Sequence, residues 1–227
     1  MSAGALAAVL PPQAIGVEAE PADWDAALHP EEEPMVARAV ARRRREVAAG
    51  RACARRALGL LGAEAAALPA DPDRVPRWPA GVVGSITHTR GYCAAAAAWH
   101  RDLCGLGIDA ERAIGSSRAE VMRLVTTPAE AAWLESLPEP ERAIGSALVF
   151  SIKEALFKCQ FPLTREMLEF HDVELAALPD LRDLADARSG ALDAAFRTGT
   201  RASRLPSLAA RYVVAGDAVV TAAFLPA

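Results

Sequence analysis

The chain has 227 residues, 52% of them hydrophobic and 24% charged, and a net charge of −4. This composition is globular rather than disordered, the length allows one large domain or two of roughly 110 residues, and the negative balance argues against a nucleic-acid binder with a generally basic surface. No run of about 18 apolar residues is available to span a membrane. Pro11, Pro12 and Gln13 interrupt the apolar stretch at Val9-Leu10 that a signal peptide would continue. Four cysteines, Cys53, Cys93, Cys104 and Cys159, show no Cys-x-x-Cys spacing, and isolated thiols of this kind fit a reducing cytosol. The chain reads as soluble and cytoplasmic.

In chain order, residues 1–22 read as an irregular lead with a strand near Ala14–Val17. Glu31, Glu32, Glu33 and Pro34 are expected to open a helix, since acids and an early proline suit a first turn. Val40, Val47, Ala54, Leu58 and Leu61 recur at helical spacing and predict one buried face. The other faces carry Arg42, Arg43, Arg44, Arg45, Arg51, Arg55 and Arg56, and Gly50 is expected to divide the region into two helices. Residues 69–81, with Trp78-Pro79, form a Pro-rich loop. Val82–Thr87 and Tyr92–Trp99 read as strands joined by a turn at Thr89-Arg90-Gly91. Alanine by propensity favours helix, but the run 94–98 is too short for one, and the flanking turns favour a strand. Leu103–Ala110 is a third strand.

A second helix-rich stretch follows. Thr127-Pro128-Ala129-Glu130 supplies an N-cap, a proline at the first helical position and an acid at the third. Residues 145–160 read as a helix ended before Pro162, and Phe170–Leu175, Arg211–Ala215 and Val219–Leu225 as strands, the last two a hairpin around Gly216-Asp217. Helices followed by a strand meander thus occur twice, which predicts an α+β fold of two lobes meeting near residue 105.

Four constellations carry chemistry. In Gly107-Ile108-Asp109-Ala110-Glu111, a strand points Asp109 and Glu111 to the same face. Two neighbouring carboxylates need a cation or a proton, and with oxygen ligands alone the natural ion is Mg²⁺; a solvated strand end is the alternative. The second constellation holds the only two lysines, Lys153 and Lys158, against 23 arginines. Lysine is a compact charge whose protonation can be tuned, whereas arginine stays charged. On a helix Glu154 and Lys158 share a face, while Lys153 is turned about 100° away. Phe150, Phe157 and Phe161 lie on or beside that face, so Glu154 is a candidate base with Lys158 as its electrostatic partner; an ordinary surface pair is the alternative. Third, Gly84-Ser85-Ile86-Thr87-His88-Thr89 is a strand of small polar residues ending in a histidine able to donate to a phosphate, or in a structural histidine. Fourth, seven arginines in fifteen residues suit phosphate groups, or form a solvated helix face.

Together these pieces resemble a known family. Gly107-Ile108-Asp109-Ala110-Glu111, followed about forty residues later by Phe150-Ser151-Ile152-Lys153-Glu154-Ala155-Leu156-Phe157-Lys158, resembles the paired signature of 4′-phosphopantetheinyl transferases. Gly50-Arg51 with Ala54-Arg55, Trp78-Pro79, Gly84-Ser85-Ile86-Thr87-His88 and Phe161-Pro162-Leu163-Thr164 resemble its Sfp-type, enterobactin-synthetase-component-D-like branch, over about residues 28–170. The resemblance implies a pseudo-dimer of two similar α+β lobes, 1–104 and 105–227, with the active site in the cleft between them. It implies transfer of the phosphopantetheine arm of coenzyme A to a serine of an apo acyl or peptidyl carrier protein, with release of 3′,5′-ADP. It assigns Asp109, Glu111 and Glu154 to Mg²⁺ (or Mn²⁺ in its place), Glu154 and Lys158 to catalysis, and Arg43, Arg51, Thr87, His88 and Lys153 to coenzyme A. A monomer is expected, with no nucleic-acid or membrane partner given the charge and hydropathy, serving secondary-metabolite or siderophore assembly; the carrier served is not written in any motif. One departure stands out. Where the branch carries a basic residue with a glycine upstream of Trp-Pro, this chain has Ala70-Asp71-Pro72-Asp73-Arg74. Two rival readings stand beside this one. A non-catalytic coenzyme A or carrier-binding module would be expected to lose one of the acids or Lys158, and none is lost. An acyl-CoA acyltransferase would need a Gly-rich pyrophosphate turn instead of the acids.

Overall fold

Alanines 94–98 form the middle of a strand covered on both faces. In the computed structural model, which describes residues 4–113, 119–139, 141–181 and 189–227, β3 (Tyr92–Trp99) lies between β1 (Ile15–Glu18) and β2 (Val82–Thr89), antiparallel to both. Successive strand residues face opposite ways. Ala95 and Ala97 meet Cys53, Ala54, Ala57 and Leu58 of α2 (Ala41–Leu61). Ala94, Ala96 and Ala98 face a second core with Leu6 and Val9 of α1 (Ala5–Val9). Side chains this small let a helix and a second sheet close on one strand.

The second sheet runs β4 (Leu103–Arg112), β8 (Ala218–Pro226), β7 (Ala209–Ala215), β6 (Ser189–Phe196), β5 (Val173–Ala176), with every neighbouring pair antiparallel. The third strand of the first expected meander therefore pairs with the C-terminal strand instead of β3. Three helices follow β4 in the chain: α3 (Ala119–Val125), α4 (Pro128–Ser136) and α5 (Glu141–Thr164). Leu148, Ile152 and Leu156 of α5 pack with Val219, Ala223 and Leu225 of β8. Thr127 caps α4 as its residue type predicts, in a capping box with Glu130.

Several expectations are corrected. The helix expected from Glu31 starts only at Ala41 after a 3₁₀ turn, Glu33–Val36. Glu32 is fully buried and accepts from the His29 and Leu68 N–H groups and from Arg55, a tie between segments rather than a first turn. Val40, assigned to the buried face, precedes that helix and is 70% exposed. Gly50 does not break α2; a Cβ there would lie 2.8 Å from Ile86 Cγ2, so the glycine serves helix–strand contact. α5 continues through Pro162, whose fixed φ is helical and which sits in the last turn, so one i→i−4 bond is given up only where the helix is about to end. Two elements were not foreseen. α1 is five residues long, and Glu18 accepts from the Gly4 and Leu6 N–H groups at its start. β6 is Ser189-Gly-Ala-Leu-Asp-Ala-Ala-Phe196, a composition with little strand propensity.

The edges of the two sheets face each other through side chains. Ser85 Oγ accepts the Ile108 N–H at 3.0 Å and Thr87 Oγ1 the Ala110 N–H at 3.1 Å, so two hydroxyls of β2 occupy the open edge of β4. Around this seam Arg112 donates to the Arg90 carbonyl, Arg211 to the Leu10 carbonyl, and Arg165 to Asp71 at 2.6 Å. Asp71 belongs to the loop that departs from the family pattern, so that loop is tied to the end of α5.

Candidate active site

β4, α5 and the end of β2 converge at Asp109. Gly105, Gly107, Asp109 and Glu111 alternate along β4, and its two glycines face α5. A Cβ on Gly107 would overlap the Ala155 carbonyl and stand 2.6 Å from the Cys159 amide nitrogen. Only glycine lets the helix backbone lie this close on the strand. That approach brings Lys158 onto β4, where Nζ donates to the Ile108 carbonyl at 3.2 Å and to Asp109 Oδ1 at 2.6 Å. Asp109 is 6% exposed, and its Oδ1 also accepts the Thr87 hydroxyl at 3.1 Å. Its Oδ2 is buried and has no hydrogen-bond partner among the described residues.

Glu154 stands one helical turn before Lys158, half-buried. Burial pushes its carboxyl above the ordinary range; Lys158 draws it down, and Asp109 and Glu111 push it up again. Three acids and one lysine thus share one field. A buried carboxylate oxygen without a donor calls for a cation or a proton. No three His, Cys, Asp or Glu side chains among the described residues close into a metal cage. Mg²⁺ needs none, since it takes one or two carboxylates and fills its shell with water and phosphate oxygens. The acids present therefore fit such an ion.

His88, just past Thr87, meets Arg43 of α2 through Nε2 and Arg43 Nη1, and its Nδ1 lies 3.6 Å from Glu46 Oε2. A guanidinium only donates, so Nε2 accepts and the imidazole is neutral. Burial, then Arg43 and Lys158, hold its pKa below the ordinary histidine value against the pull of Glu46 and Asp109. Arg43 and His88 consequently form a second cluster within electrostatic reach of the acids.

The arginine patch divides. Arg44 pairs with Glu33 at 2.6 Å, Arg45 with Asp25 at 2.9 Å, Arg55 with Glu32 at 3.0 Å, and Arg56 with Glu20 and Asp23 at 2.6 and 2.8 Å. These four hold α2 to the chain that precedes it. Arg51 is buried, with Nη2 on the Met35 sulfur at 3.4 Å and Nε without a partner among the described residues. Burial lowers its pKa, Glu32 opposing and Arg55 and Arg43 assisting.

Two residues assigned to coenzyme A have their side chains buried and engaged within the fold. Lys153 is 2% exposed; its ammonium pairs with Glu130 Oε2 at 2.7 Å and donates to the Val125 and Phe170 carbonyls at 2.9 and 3.0 Å. Every donor is engaged inside the fold, and desolvation lowers its pKa while Glu130 raises it. Thr87 is also 2% exposed, with its hydroxyl spent on Asp109 and Ala110. Glu46 was not marked in the sequence, and neither were the seam bond of Ser85, the pairing of Glu130 with Lys153 or the role of the two glycines. A signal for the glycines exists in Gly105-x-Gly107-x-Asp109, whose period of two places them on the acid face.

Comparison with known proteins decides the family. Residues 31–98 match the 4′-phosphopantetheinyl transferase N-terminal domain, and residues 105–215 the 4′-phosphopantetheinyl transferase superfamily. The chain is 42% identical to the 4′-phosphopantetheinyl transferase Svp of Streptomyces mobaraensis over 179 residues, 77% of this chain and 72% of that one. It is 34% identical to the 4′-phosphopantetheinyl transferase Npt of Nocardia iowensis over 203 residues, 87% of this chain and 89% of the relative. With PptT of Mycobacterium tuberculosis the identity is 38% over 148 residues, 64% and 63% of the two chains. The chain is a member of the 4′-phosphopantetheinyl transferase family. It is therefore an enzyme, its mixed helix-and-sheet architecture is the α+β fold the resemblance implied, and the non-catalytic module is set aside.

Proposed function

We propose that this transferase moves the 4′-phosphopantetheine arm of coenzyme A onto the serine hydroxyl of an apo acyl or peptidyl carrier protein at the site built by Asp109, Glu111, Glu154 and Lys158. The observation that carries the reading is Asp109, with Lys158 and Thr87 on one oxygen and the other oxygen buried without a hydrogen-bond partner among the described residues. Asp109, Glu111 and Glu154 are the residues that would hold Mg²⁺, or Mn²⁺ in its place. When bound, that ion offsets the charge of the diphosphate and polarises it toward displacement.

The serine oxygen forms a bond to the phosphorus that carries the pantetheine. The bond from that phosphorus to the oxygen of the adenosine-side phosphate breaks, and 3′,5′-ADP departs with the electron pair. Glu154 takes the serine proton, a role suited by a carboxyl lifted from its ordinary range by burial and like charge. Lys158 adds positive charge where negative charge develops on the leaving phosphate. Arg43, His88 and Arg51 receive the phosphates of coenzyme A; the buried, unpartnered Arg51 Nε supports an anion there, because such a donor is costly without one.

The two lobes, divided near residue 104, form the cleft in this reading, supported by a three-stranded sheet before residue 100 and a five-stranded one after residue 102. Membership of the Sfp-type branch is supported by the upstream pieces around Arg51, Trp78 and His88. A cytoplasmic monomer completes the reading, supported by four free thiols and by one chain supplying every site residue. No described helix is long and apolar enough to cross a membrane.

The test is incubation of the purified chain with coenzyme A, Mg²⁺ and a panel of apo carrier domains, including those of siderophore and other secondary-metabolite assembly. Intact-protein mass spectrometry is expected to show one phosphopantetheine added to at least one carrier, lost on chelation. No mass gain on any carrier would overturn the proposal.

A further inference from the structure

We propose that Thr87 is a positioning residue for Asp109, orienting its carboxylate across the seam between the two sheets so that Oδ2 faces the cation. The proposal rests on the reading of Asp109 as a metal ligand. Thr87 lies on β2 and Asp109 on β4, strands of different sheets. The Thr87 hydroxyl accepts the Ala110 N–H at 3.1 Å. With a lone pair taken by that amide, its single proton is directed to Asp109 Oδ1, also at 3.1 Å. Lys158 reaches the same oxygen at 2.6 Å from α5. Two donors from two elements on Oδ1 fix the plane of the carboxylate and leave Oδ2 without a hydrogen-bond partner among the described residues. Outer-shell hydrogen bonds of this kind orient a ligand and tune its affinity.

Ser85 provides the control. It is buried like Thr87 and makes the same kind of seam bond, accepting the Ile108 N–H at 3.0 Å, but that bond goes to backbone and not to Asp109. A seam role alone makes the two hydroxyls equivalent; a positioning role separates them.

The experiment measures Mn²⁺ binding to the full chain by electron paramagnetic resonance with coenzyme A present, coenzyme A affinity without metal, and thermal stability. Thr87→Val is expected to bind Mn²⁺ about tenfold more weakly with coenzyme A affinity unchanged, whereas Thr87→Ser restores most of the affinity. Ser85→Ala is expected to lower the melting temperature and leave Mn²⁺ affinity intact; Thr87→Ala replaces the valine variant should that not fold. Mn²⁺ affinity equal to wild type in Thr87→Val, or equally weakened in Ser85→Ala, overturns the positioning role. Loss of coenzyme A affinity in Thr87→Val with Mn²⁺ binding retained also overturns it and makes Thr87 a substrate contact. A wild-type chain that binds no Mn²⁺ with coenzyme A overturns the metal reading itself, and the proposal with it.

Discussion

Glu154 is half-buried and Glu32 fully buried, and their surroundings send the two carboxyls opposite ways. Glu154 meets no backbone donor among the described residues and feels two other acids, so burial and like charge lift it although Lys158 opposes them. Its replacement by Gln keeps the shape and removes the proton acceptor. Glu154→Gln is expected to lower the transfer rate by about a hundredfold or more while coenzyme A binding persists; full transfer by the variant in the mass assay would take Glu154 out of the mechanism. For Glu32, burial raises the pKa, but the Leu68 and His29 N–H groups and Arg55 outweigh it and hold the carboxyl below its ordinary value of 4.5. A carboxyl depressed by folding contributes stability that is present above the unfolded value and lost as pH falls through the folded one. Glu32→Gln is therefore expected to cost about 1.5–3 kcal/mol at pH 7, a gap that closes as pH falls below about 4.5. Urea titrations across pH measure it, and a gap independent of pH would contradict the assignment.

At the level of elements, the approach of α5 to β4 is what brings Lys158 to Asp109 in the candidate site. Lys158 reaches Asp109 because nothing stands between the helix and the strand at Gly107. Gly107→Ala would push a methyl into the Ala155 carbonyl, and overpacking of this kind costs about 1–3 kcal/mol. The expected outcome is a lower melting temperature together with slowed transfer, from a residue that touches no substrate. Unchanged activity would mean that the helix–strand distance does not govern the site. Lys153, five residues before Lys158 on α5, shows the opposite use of a lysine. Its charge is paired with Glu130, which also caps α4 and accepts the Leu175 N–H at 2.9 Å, so one buried pair fixes α4, α5 and β5 together.

At the scale of the whole molecule, the two sheets are not independent bodies. Ala94, Ala96 and Ala98 of the first share a core with Ile108, Ala110, Val220 and Phe224 of the second, closed by Leu6 and Val9 of α1. A core owned jointly couples the stability of both halves. Thermal unfolding is expected as one cooperative transition, with calorimetric and van't Hoff enthalpies in agreement; two resolved transitions would show that the halves hold without each other.

Chemistry confined to a short segment was legible from residues alone. Asp109 and Glu111 lie two apart on a strand and Glu154 and Lys158 four apart on a helix, and these local periods hold wherever the elements pack. Turn and cap chemistry behaved likewise at Thr127 and in the Trp78-Pro79 loop. Pairing across the chain was not legible. Nothing local marks β4 as the partner of β8, Lys153 as the partner of Glu130, or Thr87 as the donor to Asp109, because each depends on residues between 22 and 123 positions away. The sequence by itself determined which side chains could do the chemistry. Helical spacing had already set Lys158 on the Glu154 face, but only the tertiary structure decided that the Lys153 ammonium is buried against Glu130 and that the Thr87 hydroxyl reaches Asp109, since burial and long-range hydrogen bonding exist only once the two sheets have closed on each other.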